Sequence, residues 1–168
     1  DRFRDRTEML LFTPDHPGLF MQVAGAIALS GASIVDARIF TTADGMALDT
    51  IFLSRAFELD TDELRRAERG ATAIERALKG EVKIADLVAG RRPSREGQRT
   101  FHVLPEVVID NALSSRHTVL EVSGLDRPGL LYGVTRALSD LNLDINSAHI
   151  TTFGEKAVDT FYVTDLTR

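Results

Sequence analysis

The 168-residue chain contains no cysteine and no tryptophan, and only 7% of it is aromatic. Without cysteine there can be no disulfide, no thiolate nucleophile and no cysteine-bound metal, a usage that fits a cytoplasmic location. No apolar run approaches the roughly 20 residues that a membrane-spanning helix needs. The charged opening Asp1-Arg2-Phe3-Arg4-Asp5-Arg6 does not resemble a signal peptide. Positive charge is also short. Twenty Lys and Arg against 25 Asp and Glu leave a net charge of −5, so no broad basic field is available for nucleic acid or an anionic membrane. His16, His102, His117 and His149 are scattered without metal-ligand spacing. There is no nucleophile–base pair and no His-Asp doublet, so neither a catalytic centre nor a cofactor or metal is expected within these residues. The remainder is ordinary, with 43% hydrophobic and 27% charged residues. The chain lacks a starting Met and stops soon after a strand, as expected of a piece of something longer.

What the chain does have is an internal repeat. Asp15-His16-Pro17-Gly18-Leu19 recurs 111 positions later as Asp126-Arg127-Pro128-Gly129-Leu130. At the same offset Thr7, Val23, Ala26, Ile34, Ala37 and Ile39 meet Thr118, Val134, Ala137, Ile145, Ala148 and Ile150. One residue then drops out, and Ala47, Asp49 and Thr50 meet Ala157, Asp159 and Thr160 at an offset of 110.

Both copies spell the same elements. Met9–Phe12 and Val119–Val122 read as strands. Asp-x-Pro-Gly then starts a helix, with Asp15 and Asp126 placed to cap it and proline in the first turn. Leu19, Val23 and Ile27 form one apolar stripe; Leu130, Val134, Leu138 and Leu141 form the other. Gly31 and Asn142 suit the helix ends. Val35, Ala37 and Ile39 then share a strand face, and Ala43-Asp44-Gly45 and Phe153-Gly154-Glu155 mark hairpin turns. In copy one a second helix follows from Thr61, with Asp60 and Asp62 as candidate caps. Its expected stripe is Leu64, Ala67, Ala71, Ile74 and Leu78, with Arg66 facing out. A short helix is expected over 82–89, then a mobile arginine-rich loop (Arg91, Arg92, Arg95, Arg99), then a closing strand from Phe101 to Ile109 in which Pro105 signals an edge or bulge. The fold class is therefore α+β, a ferredoxin-like βαββαβ sandwich in two tandem repeats, the second stopping after its third strand. The expected domains are 7–110 and 117–168, joined by a linker at 111–116.

The strand–Asp-x-Pro-Gly-Leu–helix corner, the apolar strand before it and the hairpin after it resemble the ACT domain, a regulatory βαββαβ fold that binds amino acids. Asp126-Arg127-Pro128-Gly129-Leu130-Leu131, Leu141 to Ile150 and Val158 to Val163 further resemble the last ACT repeat of the bacterial uridylyltransferase/uridylyl-removing enzymes. The resemblance implies a regulatory piece that senses L-glutamine and switches the uridylylation and deuridylylation of the nitrogen signal protein PII. It also implies catalytic domains upstream, where magnesium is expected, and a possible ACT–ACT homodimer.

The residues themselves offer a reason for amino-acid binding. A helix N-terminus presents backbone N–H groups and partial positive charge to a carboxylate. A nearby Asp suits the ammonium, and glycine lets a ligand approach the backbone. The candidate ligand-binding residues are Asp15, His16, Gly18 and Leu19 in copy one, and Asp126, Arg127, Gly129, Leu130 and Asn146 in copy two. Each also has a plain structural reading: a helix start for Asp-x-Pro-Gly, an exposed loop for His16 and Arg127, a strand polar group for Asn146. Arg38 and His149 correspond across the repeat on a strand face that is either solvated or packed on a neighbour.

Overall fold

The computed structural model describes residues 5–90, 103–127 and 129–166. The loop arginines at 91, 92, 95 and 99, together with His102 and Pro128, lie outside them. The first half contains β1 (Arg6–Pro14), α1 (Leu19–Leu29), β2 (Ile34–Arg38), β3 (Met46–Ser54), α2 (Asp60–Leu78) and α3 (Ile84–Ala89). After β4 (Glu106–Asp110), the second half contains β5 (Thr118–Leu125), α4 (Leu130–Asp140), β6 (Leu143–Phe153) and β7 (Lys156–Asp165). The strands form two antiparallel sheets, ordered β1-β3-β2 and β4-β5-β7-β6. β2 lies alongside β6, and α1 packs against α4.

The strand expected to close copy one is β4, and it pairs elsewhere. Its register runs from Glu106 opposite Ser123 to Asp110 opposite Val119, so it is an edge of the second sheet. The cause is local. The Asp110 carboxylate accepts the N–H groups of Ala112 (2.6 Å) and Leu113 (3.0 Å), and Thr118 donates its hydroxyl to Asn111 (2.7 Å). These bonds fold the connection straight back, which makes β4 and β5 a hairpin. β1 is left at the edge of the first sheet.

Neither Asp15 nor Asp126 caps a helix. The N-caps are Gly18 (φ 79°, ψ 5°) and Gly129 (φ 82°, ψ 0°), without a side-chain cap bond. The Leu19 and Leu130 N–H groups donate to the His16 and Arg127 carbonyls, both at 3.1 Å. Pro17-Gly18 therefore serves a type II turn, whose third residue needs a positive φ, and α1 begins after it; Gly129 takes the same positive φ before α4. Asp60 and Asp62 likewise sit inside the first turn of α2, with Leu59 as N-cap. There they complement the helix dipole, and they pair with Arg55 and Arg65.

The apolar stripe read for α2 is rotated. Leu64 is 61% exposed, whereas Glu63, Arg66, Gly70, Ile74 and Ala77 are buried. A hydrogen-bonded ion pair, Glu63 with Arg66, occupies the inner face where leucine was expected. In α4, Leu138 is buried but Leu141 is 68% exposed at the helix end. A bulge in β2 between Ile34 and Asp36 turns Ile34, rather than Val35, toward the core; β6 repeats it between Ile145 and Ser147.

Two apolar clusters fill the space between helices and sheets, and they exchange members. Phe20 of α1 is buried in the second cluster with Leu138, Phe161 and Val163; Tyr132 of α4 is buried in the first with Val23, Ile27 and Ile51. The outer faces of the sheets carry Arg38, stacked on Phe52, and His149, edge-on to Tyr162.

Candidate functional site

The two Asp-x-Pro-Gly corners open into two clefts, each walled by both halves of the chain. The first holds Asp15, His16, Gly18 and Leu19, with Asp49 of β3, and faces the end of α4 and the start of β6. The second holds Asp126, Arg127, Gly129 and Leu130, with Asp159 of β7, and faces the end of α1 and the start of β2. Eight of the nine candidate residues thus gather in the clefts. Asn146 does not: it occupies the bulge of β6, where its side-chain oxygen accepts the Thr164 hydroxyl at 3.0 Å. Arg38 and His149 line neither cleft.

The clefts are equivalent in position and unequal in size. The first has a free volume of about 30 Å³, room for a water or two. The second has about 300 Å³, at the lower end of ordinary ligand pockets. The difference follows from the facing wall, residue by residue at the repeat offset. Thr135, Ser139, Leu143 and Asp144 crowd the first cleft. Their counterparts Ala24, Ala28, Ala32 and Ser33 line the second. Each step removes side-chain atoms, and together they leave the second corner open.

The charges differ as well. The first cleft gathers the carboxylates of Asp15, Asp49 and Asp144 beside His16, and Asp15 is already engaged by the Thr41 hydroxyl at 2.8 Å. The second has Asp126 and Arg127 at an exposed rim and Asp159 at its floor. No group of three or more His, Cys, Asp or Glu suited to a metal ion occurs among the described residues.

Asp49 and Asp159 are the residues that a motif search passes over. They are 1% and 3% exposed, and one carboxylate oxygen of each, Asp49 Oδ2 and Asp159 Oδ1, has no hydrogen-bond partner. Burial pushes the Asp49 carboxyl up to about 6, against a hydrogen bond from the Phe40 N–H and with help from the Asp15 charge. Burial likewise pushes Asp159 up to about 7, opposed by the Thr151 N–H and reinforced by Asp126. Their only sequence signal is recurrence: an acidic residue in the apolar phase of a strand, in both copies.

This chemistry dictates a pH dependence of folding. A carboxyl raised above its unfolded value of 3.8 favours the folded state while it is protonated, and that contribution is lost as pH rises through about 6 for Asp49. Thermal unfolding between pH 5 and pH 8 is expected to show a falling Tm for the native chain and a flatter profile for Asp49→Asn. An unchanged slope in the variant would locate the titration elsewhere.

Residues 118–168 match the ACT domain family. The chain is 54% identical over 166 residues to the bifunctional uridylyltransferase/uridylyl-removing enzyme of Nitrobacter hamburgensis. It is 55% identical over 166 residues to the enzyme of that name from Bradyrhizobium diazoefficiens. Each alignment takes in 99% of this chain and 18% of the relative, so the chain spans less than a fifth of the length of the curated proteins it matches. No helix among the described residues is long and apolar enough to cross a membrane.

Proposed function

We propose, from the ACT domain in its second half and the open cleft beside Arg127, that this chain is the amino-acid-sensing regulatory part of a bifunctional uridylyltransferase/uridylyl-removing enzyme. L-Glutamine is the effector. The observation that carries the reading is the second cleft: about 300 Å³ at the seam of the two halves, with a guanidinium and a carboxylate side by side at its rim. Arg127 suits the α-carboxylate of an amino acid, with support from the α4 N-terminus. Asp126 suits its ammonium. The first cleft has no room for such a ligand. Because the alanine wall belongs to the first half and the Asp126 corner to the second, a bound amino acid touches both and biases their arrangement. A coupling of about 1–3 kcal/mol is ordinary for such a device. In the longer protein that bias selects between uridylylation and deuridylylation of PII, whose chemistry, with its magnesium, belongs to other domains.

Calorimetry with L-glutamine tests this directly. Binding to the 168-residue chain is expected, and Ala32→Leu, which copies the Leu143 wall of the closed cleft, is expected to weaken it at least about 100-fold by occupying ligand volume. Heat that is unchanged in Ala32→Leu would remove the second cleft as the site. A second reading, homodimerisation through the first sheet, draws on the unpaired edge of β1 and on exposed Leu10 (67%) and Phe12 (64%). Light scattering distinguishes it: a dimer whose mass and stability ignore every amino acid favours the interaction module.

A further inference from the structure

The second cleft has a rim and a floor of different chemistry, and resting on the reading above, the floor names the ligand's side chain. Asp126 and Arg127 are exposed, while Asp159, Ala157 and Ile150 at the base are 3–4% exposed. A zwitterionic head held at the rim sends its side chain inward between Ala28, Ala32 and the second sheet. There it meets Asp159 Oδ1, a buried acceptor without a partner. A buried acceptor left unsatisfied destabilises the empty site, and a ligand donor recovers that cost. We infer that Asp159 is the specificity determinant of the second cleft, accepting a side-chain N–H so that an amide-bearing amino acid binds and its carboxylate analogue is refused.

The electrostatics agree. The charged groups lining the cleft with Asp159 are Asp126 and Arg127; the wall from α1 and β2 contributes none. A ligand carboxylate driven to the floor would oppose Asp159 with no cation beside it other than the rim guanidinium. A site built to accept from an N–H rejects the analogue that lacks it more strongly than an apolar pocket rejects a size mismatch. Asp49 provides an internal control, because it has the same orphan oxygen in the cleft too small for a ligand.

The experiment compares L-glutamine with L-glutamate by calorimetry on the 168-residue chain, as wild type, Asp159→Asn and Asp49→Asn, at pH 8.5. Wild type and Asp49→Asn are expected to prefer glutamine by at least about tenfold, the equivalent of one good hydrogen bond. Asp159→Asn, whose amide both donates and accepts, is expected to bring the ratio below about threefold. Thermal unfolding of each variant verifies that it is folded. A variant-free arm uses wild type at pH 6: the Asp159 carboxyl, raised to about 7, takes up a proton and donates to glutamate, so the ratio narrows. Discrimination that survives Asp159→Asn, or that is as large at pH 6 as at pH 8.5, overturns the inference while leaving glutamine sensing intact. Absence of binding by either amino acid overturns both.

Discussion

Glu63→Ala is expected to lower folding stability by about 3–5 kcal/mol, the cost of leaving a buried cation without its counter-ion. Glu63 and Arg66 are 4% and 8% exposed. One glutamate oxygen accepts from the Thr7 hydroxyl and from Arg66, both at 2.9 Å. The other accepts the N–H groups of Ala56 and Phe57, both at 3.1 Å. Arg66 also donates to the Ser54 carbonyl at 2.7 Å. One carboxylate thus ties α2 to β1 and to the chain leaving β3. Burial alone would raise its pKa, but the Ala56, Thr7 and Phe57 donors and the Arg66 charge bring it below the ordinary carboxylate value. The stability it supplies is present above that ordinary range and lost as pH falls through the lowered value. Urea unfolding at neutral pH measures the loss. The double variant Glu63→Leu/Arg66→Met, which removes both charges and keeps the volume, is expected to recover part of it, the remainder being the partners lost by Thr7, Ala56, Phe57 and the Ser54 carbonyl. A single variant within about 0.5 kcal/mol of wild type, the range of ordinary surface changes, would show that the network does not hold the helix.

Two glycine-to-alanine changes are expected to move stability in opposite directions. Alanine normally gains about 1 kcal/mol over glycine inside a helix. At Gly133 of α4 nothing lies within 4 Å of the added carbon, so that gain is expected in full. At Gly25 of α1 the same carbon would stand 2.3 Å from Ile84 Cγ2 and 2.8 Å from Tyr132 Cδ2. Ile84 is branched close to its backbone and Tyr132 is wedged in the first core, so neither yields without moving its helix. Overpacking of this kind costs about 1–3 kcal/mol, which outweighs the propensity gain. Gly25→Ala should therefore unfold at lower urea than wild type and Gly133→Ala at higher. A gain at Gly25 would mean that the α1–α4 crossing is looser than its geometry. Because that crossing also sets the alanine wall of the second cleft, Gly25→Ala is expected to weaken ligand binding too.

The repeat, the strand–turn–helix corners and the left-handed stops at Gly31 and Asn142 (φ 81° and 58°) are legible in the sequence because each depends on neighbours in the chain. The phase of α2 is not. Leu64 and Arg66 exchange places because partners from β1 and β3 satisfy the arginine–glutamate pair, and no pattern within the helix reveals them. The allegiance of β4 is similarly hidden: its side chains suit either sheet edge, and only the Asp110 and Asn111 bonds of the connection turn it toward β5. The corner residues Asp15 and Asp126 are found by motif, with the wrong role as helix caps. Asp49 and Asp159, one strand away, leave only the faint mark of an acid in an apolar phase. The inequality of the clefts is written in the aligned copies, but it becomes visible only once the structure shows that each corner faces the other half's wall.

That crossed arrangement has a consequence for symmetry. In a dimer of two identical chains joined by the same exchange of helix side chains, every substitution is made twice, and enlarging one wall closes both openings together. Covalent duplication lifts that constraint. Leu143 can fill one opening while Ala32 leaves its twin wide, so the two corners are free to diverge in shape. On the proposed function, a single open side predicts a simple hyperbolic saturation curve for L-glutamine, free of the cooperativity that two matched openings could impose.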